Sequence, residues 1–181
     1  WKGTSRTLAI QGQCWNFMNF YTPNNNTERA TFWERIRQQV AGAEEWCIGG
    51  DFNMIESIHD SSNNNPRVLQ GRERKQWEKL CVHLNLRDIW HSDNFQRKRD
   101  SLLFSRSDGR NSGPTLSRID RLYVGEALEA KGGWCRITPG TTFSNHYPVI
   151  GHFHLHLMWG SLQPRIPHTI YTSIEVKEQL A

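Results

Sequence analysis

The chain has no apolar run of the length a membrane-crossing helix needs, and no charged-then-apolar leader opens it. A membrane partner and secretion are set aside on that ground. The expectation is an intracellular protein, in the nucleus or an organelle. It has no Cys-x-x-Cys pair either: Cys14, Cys47, Cys81 and Cys135 are far apart. That spacing argues against a zinc site and for reduced thiols. Glycine-rich phosphate loops, a Gly-x-Ser-x-Gly elbow and a His-Glu-x-x-His helix are all absent, so the chemistries they carry have no foothold. Charge is nearly balanced. The 22 Lys and Arg against 18 Asp and Glu leave +4, with a pI near 9.0. This favours a polyanionic partner without requiring one.

What is present suits one globular domain. There are 181 residues, 36% hydrophobic and 22% charged, with eight tryptophans to fill a core. Residues 7–21 read as two short strands joined near Gly12. An Asn-rich loop follows, then a helix capped by Thr27 and running to about Val40, with Phe32, Trp33, Ile36 and Val40 on one side and Gly42 as its stop. A strand at 46–50 comes next, then a polar surface loop over 56–70. Trp77, Leu80, Cys81 and Leu84 form the apolar stripe of a helix over about 71–84. Strands are expected at Leu86–Trp90, Leu102–Ser105, Ile119–Val124, Trp134–Ile137 and Val149–Leu157. Helices among many short strands predict an α/β layered domain.

Chemistry-bearing residues gather at strand ends. In Gly49-Gly50-Asp51-Phe52-Asn53 an acid and an amide leave a short apolar strand on one face, with Phe52 turned away. That pair suits a metal or phosphate site, although a Gly-Gly turn with a capping Asp reads equally well. In Ser117-Arg118-Ile119-Asp120-Arg121, Asp120 needs a partner, either a flanking arginine or a histidine. His146 in Ser144-Asn145-His146-Tyr147-Pro148 precedes a strand. Tyr21-Thr22-Pro23-Asn24 is a strand-to-turn step that can aim a phenol and an amide together. His152, His154 and His156 alternate along one strand, where a solvated face competes with a metal site.

Taken in chain order, Tyr21-Thr22-Pro23-Asn24, Gly50-Asp51-Phe52-Asn53, Ser117-Arg118-Ile119-Asp120-Arg121 and Ser144-Asn145-His146-Tyr147-Pro148 resemble the endonuclease/exonuclease/phosphatase family, and within it the apurinic-endonuclease-like endonuclease domains of LINE-type non-LTR retrotransposons. The resemblance covers about residues 10–155. It implies a two-layer β-sandwich flanked by helices, and phosphodiester hydrolysis, in particular DNA nicking, with Mg²⁺ or Mn²⁺. It assigns catalytic roles to Asp51, Asn53, Asp120, His146 and Tyr21, substrate contacts to Asn24 and Arg118, and a metal-side position to Asn145. Two departures from the pattern appear. The family's metal-binding glutamate and an early asparagine lie upstream of anything in this chain, and Asn145 stands where the family has an acid. The expectation is therefore an N-terminally incomplete domain over residues 1–158 with an extension at 159–181, its nicking activity weakened or lost. The competing expectation is a non-catalytic structural or RNA-binding component, with protein partners, in a larger ribonucleoprotein assembly. A phosphatase acting on small phosphoesters is a third reading that no residue pattern selects.

Overall fold

The computed structural model describes residues 2–10, 13–42, 45–109, 114–140 and 144–154. His156 and the extension expected at 159–181 lie outside them. Among the described residues the strands are, in chain order, β1 (Lys2–Ile10), β2 (Gln13–Tyr21), β3 (Trp46–Asp51), β4 (Arg87–Asp88), β5 (Phe95–Arg97), β6 (Arg106–Ser107), β7 (Leu116–Ser117), β8 (Asp120–Val124), β9 (Gly133–Ile137) and β10 (Val149–Phe153). The helices are α1 (Asn26–Gln39), α2 (Gly71–His83) and α3 (Glu126–Glu129), with a 3-10 turn at Ile58–Asp60. One sheet has the order β1-β2-β3-β8-β4, a second β10-β9-β5, and β6 pairs with β7. β3 lies parallel to β2 and antiparallel to β8, so it sits at the centre of the larger sheet.

Alternation along the central strands divides the core into two layers. Phe20, Ile48 and Tyr123 face α1 and α2, where they meet Phe32, Trp33, Ile36, Trp77 and Leu80. Their neighbours Cys47, Leu122 and Val124 face the second sheet and meet Phe95, Cys135, Ile137 and Phe153. The fold is thus a β-sandwich with α1 and α2 on one outer face. The helix-side layer is an aromatic cluster. Phe52 lies 5.9 Å from Trp33, 5.6 Å from Trp77 and 5.1 Å from Tyr123, centroid to centroid. Truncating one such buried ring to Ala costs about 3–5 kcal/mol.

Several elements differ from the sequence reading. The cap of α1 is Asn25, whose Oδ1 accepts the amides of Thr27 and Glu28 at 2.8 and 3.2 Å. Thr27 is therefore inside the helix. The loop after β3 is not a free surface loop. Ile55 bridges Val68, Ser61 bridges Ser117, and Asp60 is buried. Residues 102–105 form no strand, although Leu102 and Ser105 donate their amides to Ile137 and Ser117. β5 and α3 carry too few residues to show a period.

Candidate active site

The Tyr21-to-Asp51 region is set by one close backbone approach. Gly50 has φ 130°, and a Cβ there would lie 2.0 Å from the Phe20 carbonyl oxygen. Only glycine fits, and β3 can then pair with β2 up to its last residue, Asp51 opposite Tyr21. Beyond Asp51 the chain turns. Phe52 dives into the aromatic cluster, fully buried, and Asn53 takes a left-handed conformation with φ 47°. The Asn53 amide donates to Asp51 Oδ1 at 2.8 Å, and Asn53 Nδ2 donates to the Thr22 carbonyl at 2.8 Å. Acid and amide are therefore joined by an Asx turn rather than by strand periodicity. The second bond ties them to the Tyr21–Asn24 turn.

On the other side of β3 the ladder places Asp120 directly opposite Asp51. His146 closes the group, its Nδ1 donating to the Asp120 carboxylate at 3.0 Å. The carboxylate accepts the Nδ1–H hydrogen bond and so leaves Nε2 for another partner. Ser105 Oγ accepts the amides of Ile119 and Asp120, which fixes the start of β8. Ligand atoms of Asp51, Asp120 and His146 lie within 4.8 Å of one another, and all three residues are half-buried. Burial pushes the Asp51 carboxyl above the ordinary carboxylate value, and the Asp120 charge adds to that rise. The Asn53 amide, His146 and Arg106 pull it back only in part. Burial also raises Asp120, against hydrogen bonding and charge from His146. Two oxygen donors that repel each other beside an imidazole make a set that a divalent cation would relieve.

The remaining residues named from the sequence fall in different places. Tyr21 is exposed, and Asn24 is exposed with its carbonyl accepting from Arg29 Nη1 at 2.8 Å. Asn145 is exposed next to His146, and its carbonyl accepts the Ser107 amide at 2.9 Å. Arg118 is not a surface contact. It is 2% exposed, with its guanidinium donating to Asp60 and Asp88 at 2.8 Å each and lying 3.0 Å from His91 Nε2. Arg121 is buried beside it and donates to Asp60, Glu56 and Asp88. The partner of Asp120 is therefore histidine, and the flanking arginines serve the interior. His152 stacks on Trp134 at 5.2 Å, and both His152 and His154 are exposed. The sequence reading missed Arg106. It lies on a two-residue strand with no period to reveal it, yet its charge reaches both Asp51 and Asp120, and its backbone bridges His146.

This layering is that of the endonuclease/exonuclease/phosphatase fold, as the motif resemblance implied. The chain superposes on an AP endonuclease from Archaeoglobus fulgidus with a TM-score of 0.60, at 16% identity over 82% of this chain and 64% of that one. It matches the endonuclease domain of TRAS1, a telomere-specific non-LTR retrotransposon, with a TM-score of 0.59, at 12% identity over 86% and 64%. The 3'-5' exonuclease NExo of Neisseria meningitidis gives 0.58, at 19% identity over 82% and 64%. In sequence the chain is similar to the transposon TX1 uncharacterized 149 kDa protein of Xenopus laevis, 31% identical over 165 residues. That match covers 88% of this chain and spans 11% of the transposon protein. No protein-family model matches the chain.

Proposed function

We propose that the chain carries the main part of a nuclease site that hydrolyses phosphodiester bonds in DNA. The observation that supports this most directly is the Asp51–Asp120 pair, held in register across one ladder with His146 fixed on Asp120. Asp51 and Asp120 are the residues that would hold Mg²⁺ or Mn²⁺, with Asn145 as a neutral donor in the adjoining segment. Such an ion, when bound, supplies positive charge to the phosphoryl oxygens. Asp51 accepts the proton of the attacking water. Asn53, locked between Asp51 and Thr22, offers its carboxamide to the phosphate. His146 faces the phosphate through Nε2 and stabilises charge that develops in the transition state. As the new P–O bond forms and the bond to the leaving sugar oxygen breaks, the Tyr21 hydroxyl supplies that oxygen's proton.

A nicking assay on supercoiled DNA with Mg²⁺ tests the reading. Asp51→Ala and His146→Ala should each lower the rate by about 10²-fold or more. Asn145→Asp should raise it by restoring a charged donor. Identical traces for wild type and both alanine variants would sink the catalytic reading and favour a binding component, because nucleic-acid retention needs neither Asp51 nor His146.

A further inference from the structure

A cleft of about 240 Å³ opens beside the acidic cluster. Asn53 and Ile119, close in the chain to Asp51 and Asp120, line it together with Arg67 and Arg106. The cleft contains three arginines and one glutamate, but one pair cancels, since Arg29 is bound to Glu73. Arg67 and Arg106 are different. Neither makes an ion pair among the described residues, and Arg106 Nε is buried with no hydrogen-bond partner. The interior arginines Arg118 and Arg121 carry three acids between them.

The backbone that carries each of these arginines is anchored. Arg106 pairs with Ser117 and bridges His146, and Arg67 precedes Val68, which bridges Ile55. A buried guanidinium nitrogen with no acceptor is costly unless an anion completes it. Among the described residues no aromatic ring lines the cleft, so a base would have nothing there to stack on. A phosphate, with oxygens matched to the guanidinium fork, fits the walls better.

We propose that this cleft binds a phosphate of a polynucleotide strand next to the one at Asp51 and His146, with Arg67 and Arg106 as its ligands. The inference deepens the nuclease reading and takes its orientation from it. It makes a continuous strand, and not a small phosphoester, the molecule this face receives.

Binding of a fluorescein-labelled 12-mer DNA duplex, followed by anisotropy in EDTA so that no turnover occurs, is the test. Arg67→Gln and Arg106→Gln should each weaken binding about 5-fold or more and lower the slope of log K against log salt by about 1. Lys79→Gln on α2 should change neither, and Arg67→Lys should recover part of the loss. Arg67 is exposed, so its variant is expected to fold, with melting temperature as the check. Arg67→Gln binding with wild-type affinity and slope, or no DNA binding by wild type, overturns the proposal. Inorganic phosphate at constant ionic strength should not displace the duplex. Displacement would overturn the strand reading in favour of a free-phosphate site. Failure of the nuclease reading looks different: DNA binding with the Arg67 effect intact, but no nicking on adding Mg²⁺. Nicking with an Arg67→Gln KM equal to wild type sinks the cleft and spares the nuclease.

Discussion

Asp51 and Asp120 work against the stability of the strands that carry them. Each carboxyl sits above its ordinary value because burial disfavours its charge. A carboxyl with a raised folded value binds its proton more tightly folded than unfolded, so its contribution to stability falls as pH rises through that range. At neutral pH without a cation, Asp51→Asn should therefore raise the melting temperature, by about 2 °C or more, while abolishing nicking. The asparagine can still accept the Asn53 amide. A lower melting temperature in thermal unfolding followed by circular dichroism would show that the site is not strained by its charges. The type of these residues was legible in the sequence, as was the buried turn of Phe52. The way Asn53 reaches Asp51 was not, because a left-handed asparagine breaks the strand period on which such a reading depends.

At the scale of elements, the segment between β3 and α2 is held by buried charge. Asp60 joins Arg118 and Arg121 at 2.8 Å each. Burial acts to raise its carboxyl, but Arg121 and Arg118 outweigh burial and hold it below the ordinary carboxylate value. A carboxyl lowered in the folded state contributes stability above its unfolded value and loses it as pH falls through the folded one. Asp60→Asn should destabilise the protein by about 3–5 kcal/mol at pH 7, since two buried arginines lose a shared partner. The deficit against wild type should narrow in acid, and urea titrations at pH 7 and at pH 3 measure both. A variant as stable as wild type at pH 7 would mean that Glu56 and Asp88 suffice. The apolar stripes of α1 and α2 made those helices readable, whereas Asp60 among polar neighbours gave no sign of burial. Long-range ion pairing leaves no local period. The substrate contact that the family resemblance implied for Arg118 gives way to the same buried pairing.

For the whole molecule, the layer between the two sheets joins them into one unit. Cys47 on β3 and Cys135 on β9 are both buried in that layer, and burial pushes their thiols up to about 12 and about 11. Neither should react with a thiol reagent at pH 8 until the structure opens. In a variant lacking Cys14 and Cys81, both should label at one common rate across a denaturant series, as a single cooperative unit requires. Rates differing by tenfold or more would mean that the second sheet opens alone. The ladder that sets Asp51 against Asp120 has a further consequence in time. The two acids are separated by an intervening stretch that contains α2 and the whole 3-10 turn segment. During synthesis, β3 leaves the ribosome long before β8 exists to cover it. When β8 does dock, it must close against the repulsion at its own first residue. Added salt, by screening that repulsion, should therefore speed this docking step during refolding.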